Sequence, residues 1–369
     1  MSGVRRVQVL VVGGGQAGLA AGYHLRRAGL DFAILDASPG PGGAWQHYWD
    51  TLRLFSPPAY SSLPGRPMPG QAGTAYPDAA HVVRYLAEYE KRYDLPVHRS
   101  VQVEGVERGP AGLVVRTDAD ATWQTQSLIM ATGSWQRPFV PAVPGRHDYT
   151  GRQLHTYGYH GAAAFTGQRV VVVGGGNSGA QIATDLIGEA AAVRWVTRRP
   201  ARFLPDEIDG RALFDLATRR VRGDGPRIGD LGDLVAVPPV RAARDAGLLT
   251  AHPMFDRLTP AGPAWADGTA WPCDAVIWCT GLRPDLAALR PLGPALTRGR
   301  VRTDGTRLVE DPRIHLLGYG DWTGPASATL VGVGRTARQA VAETADLLSR
   351  QRGPAASPRT SPRPVPGPA

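Results

Sequence analysis

Two glycine-rich stretches carry the most legible chemistry in this chain. Gly13-Gly14-Gly15-Gln16-Ala17-Gly18 and Gly174-Gly175-Gly176-Asn177-Ser178-Gly179 both read G-x-G-x-x-G. In such a run the first glycine allows a tight turn, the second lets backbone approach a pyrophosphate, and the third lets helix pack on strand. The phosphates then meet unpaired N–H groups at a helix N-terminus. With 46 glycines in 369 residues, chance supplies roughly 0.7 such spacings, so the spacing alone is weak. Position gives it weight. Each stretch directly follows an apolar run, Val7 to Val12 or Arg169 to Val173, and opens a helical pattern.

The end of the following strand distinguishes the two sites. Asp36 lies 23 residues after Gly13. A carboxylate there hydrogen-bonds ribose hydroxyls, as in the unphosphorylated adenosine of FAD. The equivalent place after Gly174 is Thr197, followed by Arg198 and Arg199. No acid is present there to repel a 2′-phosphate, and two guanidinium groups suit one, which points to NADPH. Two further segments echo each other, Ala131-Thr132-Gly133 and Cys279-Thr280-Gly281, each a Thr-Gly at a strand end. Such a turn approaches a ligand or crosses between domains. Gly318-Tyr319-Gly320-Asp321 also ends a strand, and its Asp suits a polyol such as the ribitol of FAD.

These residues need a scaffold to bring them together. Val7 to Val12, the helix Gln16 to Ala28 capped by Gly29, and Asp31 to Asp36 make a strand–helix–strand unit. Gly40 to Gln71 reads as loop. Asp78 begins a helix with Val82, Leu86, Tyr89 and Tyr93 on one face. Short strands follow at Val101–Val106, Leu113–Arg116, Trp123–Gln126 and Ser127–Ala131. The pattern restarts with Arg169–Val173, a helix Asn177–Gly188 and Val193–Thr197. Residues 200–250 are helical and loopy with little legible chemistry. Strands at Asp274–Cys279 and Arg313–Gly318 precede a terminal helix within Pro325–Arg350. The repeat 161 residues on, from 13 to 174, marks a duplicated domain type rather than a solenoid. The expected fold is α/β, with two Rossmann-like three-layer dinucleotide-binding domains and the NADPH domain inserted in the FAD domain. The expected boundaries are 1–158 with 285–352 for FAD, 159–284 for NADPH, and a disordered Pro-rich tail at 353–369.

Composition narrows the partners. The net charge of +9 is almost all arginine, since Lys91 is the only lysine. The basic residues are scattered and not interleaved with aromatics, which argues against nucleic acid. Apolar runs are too short for membrane insertion, and a cytoplasmic location follows by default. No metal-ligand cluster is legible. Cys273 and Cys279 are the only cysteines, and no C-x-x-C exists. That excludes the dithiol chemistry of disulfide reductases.

The same residues resemble the two-dinucleotide-binding-domain flavoproteins, specifically class B flavin monooxygenases, over roughly residues 5–350. The resemblance implies FAD on Gly13, Gly15, Gln16, Ala17, Gly18, Asp36, Gly43, Trp45, Thr132, Gly133, Asp321 and Thr329. It implies NADPH on Gly174, Gly176, Asn177, Ser178, Gly179, Arg198, Arg199, Thr280 and Gly281. Gly42-Gly43-Ala44-Trp45 is similar to the family's GG-x-W turn, and Tyr149 to His155 resembles its F-x-G-x-x-x-H signature with Tyr for Phe. Trp45, Ser56 and His155 are the candidate catalytic residues. Relatives that oxygenate nitrogen and sulfur carry an Asn where this chain has Leu52-Arg53-Leu54-Phe55-Ser56, and Ser56 is the candidate substitute. Gly42–Gly65 and Gly318–Gly334 look like ArsO-type flavoproteins, found with bacterial arsenic-resistance genes.

The activity implied is insertion of one oxygen atom from O2 into a small nucleophilic substrate, through a C4a-(hydro)peroxyflavin. The flavin supplies that chemistry and the protein supplies orientation and dryness, so no acid–base pair or triad need be visible. Two alternatives stay open: an NADPH-dependent flavoprotein reductase with a non-oxygen acceptor, and a non-catalytic nucleotide-sensing flavoprotein that regulates transport. The partners are O2 and a small molecule, with a homodimer admitted.

The cysteine pattern yields an expectation. Cys273→Ser combined with Cys279→Ser is expected to keep NADPH-driven flavin reduction within about twofold of wild type. Rapid-mixing absorbance of the FAD-loaded double mutant checks it, and a folded mutant that no longer reduces its flavin refutes it.

Overall fold

The computed structural model describes residues 3–119, 121–221 and 234–351, with the side chains of 216–221 left aside. The expected tail at 353–369 lies outside the described residues. The chain runs β1 (Val4–Val12), α1 (Gln16–Arg27), β2 (Phe32–Leu35), α2 (Ala79–Arg92), β3 (Val97–His98), β4 (Val103–Gly109), β5 (Gly112–Thr117) and β6 (Thr122–Met130). It continues through β7 (Arg152–His155), β8 (Arg169–Val173), α3 (Asn177–Leu186), β9 (Ala192–Thr197), α4 (Gly210–Val221), α5 (Pro238–Asp245) and β10 (Ala251–Pro253). Then come β11 (Arg257–Thr259), β12 (Gly262–Ala264), β13 (Ala275–Trp278), β14 (Leu296–Thr297), β15 (Arg300–Val301), β16 (Thr303–Asp304), β17 (Arg307–Leu308), β18 (Ile314–Leu316) and α6 (Leu330–Gln351).

The first sheet has parallel strands in the order β18-β6-β1-β2-β3, in register Leu316 to Met130 to Val12 to Leu35. Its central strands are buried on both faces, so apolar residues run continuously and alternate in destination. Val9, Val11, Ile34 and Ile129 face α1, α2 and α6, while Leu10, Val12, Leu35, Leu128 and Met130 face the β4–β5 hairpin side. That produces three layers: helices, parallel sheet, antiparallel strands. The two separate strands read at Trp123–Gln126 and Ser127–Ala131 are one strand, β6. Its first half pairs antiparallel with β5 and its second half parallel with β18. The mixture of polar alternation and apolar run is what split it in the sequence.

The second sheet is parallel throughout, in the order β10-β9-β8-β13-β7. Val170 and Val172 pack toward α3 and α5, and Val171 and Val173 toward Phe255, Leu258 and Trp278. β7 pairs with β13 from Arg152 opposite Ala275 to His155 opposite Trp278. A boundary at 158/159 is therefore too late, because β7 already belongs to the second sheet. Only hydrogen bonding reveals this, since four residues carry no period of their own. The loop-like stretch 40–71 contains two short 3-10 turns, Gly43–His47 and Pro58–Tyr60.

The chain crosses to the second sheet after Met130 and returns after Trp278, and the two crossings are bonded to each other. Phe139 N donates to Gly281 O at 3.0 Å, Arg283 N to Arg137 O at 2.8 Å, and Asp285 N to Gly133 O at 2.9 Å. One apolar cluster runs from α1 and α2 through Trp49 and Tyr159 into β8 and α3, so the two sheets share a core. Among the described residues no helix is long and apolar enough to cross a membrane.

Candidate functional site

The helices that follow the two glycine runs begin without a side-chain cap and without an acid in their first turn. By contrast, α2 is capped by Asp78, which accepts from His81 N at 2.7 Å. Uncapped N–H groups with a partial positive charge are what a phosphate requires. The glycines explain how these ends stay open. Gly13 adopts φ +106 and lies against the Ala131 carbonyl; Gly174 adopts φ +140 and lies against the Cys279 carbonyl. A side chain at either place would collide with the neighbouring strand end. Trp195 Nε1 further secures the second turn by donating to Gly174 O at 2.7 Å.

Each run opens into a cavity where its parallel sheet changes winding direction, the expected ligand position in such sheets. The first cavity is about 350 Å³ and is lined by Gly13, Gly15, Gln16, Ala17, Asp36, Gly43, Trp45, Thr132 and Gly133 among others. Nine of the residues implied for FAD thus converge. Gly43 sits against Gly15, and Trp45 Nε1 donates to Gln16 Oε1 at 2.9 Å. Gln16 Nε2 in turn donates to Ala328 O at 2.8 Å, tying the GG-x-W turn, α1 and the segment before α6 into one wall. His47, Tyr48 and Trp135 close the aromatic end. Burial pushes the Tyr48 hydroxyl up to about 12. The buried Trp135 Nε1 has no partner among the described residues. The open backbone cradle, the free helix end and the aromatic wall fit a flavin dinucleotide.

The second cavity, about 840 Å³, is lined by Gly174, Arg198, Arg199 and Thr280, with Phe139, Pro141 to Pro144, Met254 and Phe255. Arg198 and Arg199 are exposed and form no ion pair with the described residues. Two guanidinium groups beside an uncapped helix fit a phosphorylated adenosine. Gly176, Asn177, Ser178 and Gly179 belong to the same turn but do not line the space. Asn177 Oδ1 is engaged by Val235 N at 2.9 Å, and Gly179 packs under the Gly174 carbonyl. Gly18 is its counterpart under Gly13.

Five more of the expected site residues, Ser56, His155, Gly281, Asp321 and Thr329, sit away from the cavity walls. Ser56 packs against Gly210 rather than the first cavity, because Gly210 N donates to Phe55 O at 2.5 Å and draws that loop toward α4. Asp321 is exposed, with Oδ1 accepting from Ala326 N at 3.4 Å. Thr329 Oγ1 accepts from Gly332 N at 3.0 Å and donates to Ala326 O at 2.7 Å, the work of a helix cap. His155 is held by backbone at both nitrogens: Nδ1 accepts from Tyr157 N at 3.1 Å, and Nε2, which then carries the hydrogen, donates to Gly281 O at 2.9 Å. Gly281 serves as that anchor at the crossing. In this structure His155 ties β7 to the return crossing. Thr132 lines the first cavity, yet its hydroxyl donates to Asp285 O at 2.5 Å and accepts from Tyr319 at 2.7 Å.

Nothing in the sequence marks Arg99, which ion-pairs with Asp36 from 63 positions away. Val101, Gln102 and Val103 also line the first cavity unannounced. Neither cysteine lines the first cavity; burial raises both thiols, Cys279 to about 12.

With this geometry in hand, comparison with known proteins is informative. Residues 10–207 match the family described as pyridine nucleotide-disulphide oxidoreductase. The structure superposes on the flavin-containing monooxygenase from Stenotrophomonas maltophilia with a TM-score of 0.86 and 45% identity, covering 93% of this chain and 99% of that one. An uncharacterized CzcO-like oxidoreductase of Geobacillus kaustophilus is 29% identical over 90% of this chain and 96% of its own length. The indole-3-pyruvate monooxygenase YUCCA8 of Oryza sativa is 26% identical over 91% of this chain and 90% of its own.

The tether at His155 sets a pH expectation. Burial holds the imidazole below its ordinary value of 6.5, and protonation would also break the bond from Tyr157. Stability from this group is therefore full above the ordinary value and lost as pH falls below it. His155→Ala is expected to cost about 1–3 kcal/mol at neutral pH and to flatten part of the acid-side loss. The pH profile of NADPH oxidation should keep its shape. Melting curves and rates across pH check both halves, and a lost limb in the rate profile refutes the tether.

Proposed function

This chain belongs to the pyridine nucleotide-disulphide oxidoreductase family and is an FAD- and NADPH-dependent oxidoreductase of the flavin monooxygenase type, and from that premise we propose that it transfers one oxygen atom from O2 to a small nucleophilic substrate. The observation that carries this reading is the pairing of two cavities at equivalent sheet positions, one facing Asp36 and the other facing Arg198 and Arg199, with no cysteine on the flavin side. A disulfide reductase would need a dithiol there. Bound in the first cavity, FAD would take hydride from NADPH and supply the redox chemistry with O2. The protein's own residues do the rest. Gly13, Gly15 and the α1 N-terminus hold phosphates; Asp36 receives ribose; Trp45 fixes the turn beside the flavin through Gln16. Tyr48 and Trp135 keep the aromatic end dry, which favours transfer to substrate over loss to water.

We assign the FAD unit to the first sheet with α1, α2 and α6, and the NADPH unit to β7 through β13, joined by the paired crossings. The ArsO-type likeness of Gly42–Gly65 and Gly318–Gly334 adds trivalent arsenic to sulfur, nitrogen and ketone carbon as acceptors, in a cytoplasmic setting. With no Asn in 52–56 and Ser56 turned to Gly210, water exclusion by the aromatic end carries more of the burden of productive transfer.

Isotope labelling tests the reaction. Under 18O2 with NADPH and a panel of sulfides, amines and trivalent arsenicals, one acceptor is expected to gain a single labelled oxygen per NADPH consumed. A reduced flavin that persists in air points to the reductase reading. Full conversion of O2 to H2O2 with no label in any acceptor refutes oxygen transfer.

Coenzyme choice tests the second cavity. Charge-assisted hydrogen bonds contribute about 1.5–3 kcal/mol each. Arg198→Ala with Arg199→Ala is thus expected to lower kcat/KM for NADPH by roughly 10- to 150-fold. The value for NADH, which has no 2′-phosphate to lose, should change little. An unchanged NADPH:NADH ratio refutes the assignment.

A further inference from the structure

The carboxylate that faces ribose is not free. Asp36 is 7% exposed, and its Oδ2 is ion-paired with Nη1 of Arg99, whose Nη2 pairs with Glu90 of α2. Its Oδ1 accepts only weakly from Ser38 N, at 3.4 Å, and so keeps capacity for a hydroxyl donor. The backbone around Arg99 is built onto Asp36 from both sides. Asp36 N donates to His98 O at 2.9 Å, and Val101 N donates to Asp36 O at 3.0 Å. Ser100 between them takes a left-handed turn at φ 54. The pair also lies against the first glycine run: a Cβ on Gly14 would stand 2.8 Å from Asp36 Oδ2 and 3.1 Å from Arg99 Nη1. Arg99 therefore touches the turn that carries the phosphates and the acid that receives the ribose.

We propose that Arg99 is a positioning residue for FAD, acting through Asp36. A guanidinium is planar and rigid, so bridging two carboxylates holds one oxygen of each in place. Asp36 then presents its second oxygen to the adenosine ribose in one orientation before the cofactor arrives. Arg99 also offsets the charge of Asp36 and Glu90. Without it, the buried Asp36 and the partly buried Glu90 would stand beside the site of a pyrophosphate and repel it. The competing role is purely structural, with Arg99 fastening α2 to β3 through Glu90.

FAD binding to apo-protein separates the two roles. Dissociation constants come from titration with FAD, read by its absorbance and fluorescence, with apo melting temperature measured alongside. Arg99→Gln is expected to raise the FAD Kd at least about tenfold. Arg99→Lys, which keeps the charge but loses the fork, should fall between that variant and wild type. Glu90→Gln removes the other partner and should lower the apo melting temperature with little change in Kd. In an Asp36→Asn background, Arg99→Lys should change Kd no further, because the route through Asp36 is already lost. A folded Arg99→Gln variant with Kd within about twofold of wild type, or a full additional loss for Arg99→Lys on top of Asp36→Asn, overturns the proposal.

Discussion

A helix whose first turn must stay uncapped, set where two parallel strands part, is the constraint on which both halves of this protein depend. Phosphate binding requires free N–H groups, and free N–H groups inside a fold are costly without a partner. The protein tolerates that cost twice. In each case the strand end is brought so close to its neighbour that only glycine fits, Gly13 against Ala131 and Gly174 against Cys279. The closeness is what places a second strand end, at Thr132 or Thr280, beside each glycine turn.

The second organising feature is how the halves are joined. A hydride donor and its acceptor must meet in fixed geometry, and a single flexible linker would not provide that. Here the two crossings hydrogen-bond to each other, and His155 fastens β7 to the return crossing. The Gln181 amide of α3 accepts from Arg53 N and donates to Arg53 O, both at 3.2 Å, as a strand neighbour would. Trp49 against Tyr159, centroids 5.8 Å apart, continues the shared core across the join. The loop around residues 52–56 is thereby gripped from the second-sheet side, and Ser56 faces Gly210 and not the first cavity.

Electrostatics divides the two sites more finely than net charge does. The surplus of arginine is spread over the surface, yet at the first cavity the arginine is spent: Arg99 is ion-paired with both Asp36 and Glu90. At the second cavity Arg198 and Arg199 are exposed and make no ion pair with the described residues. An unphosphorylated ribose needs an acceptor, and a phosphorylated one needs donors, so the same fold serves two nucleotides through one changed strand end.

The local pattern of the chain settled the parts of this protein that local chemistry governs. Glycine spacing after an apolar run is dictated by backbone sterics, so both strand–turn–helix units, with Asp36 after one and Arg198 and Arg199 after the other, were placed without a structure. Likewise the lack of a C-x-x-C set an expectation against dithiol chemistry from the sequence alone. Tertiary structure decided what rests on long-range pairing. It moved β7 into the second sheet, merged two short runs into β6, left Asp321 exposed and placed the Thr329 hydroxyl on the first turn of α6. It engaged both nitrogens of His155 with backbone, one from Tyr157 nearby and one from Gly281 on the return crossing. It also brought Arg99 to Asp36 across 63 residues. A hydrogen bond between distant strands leaves no period or spacing in the sequence, because only closure of the sheet brings its donor and acceptor together.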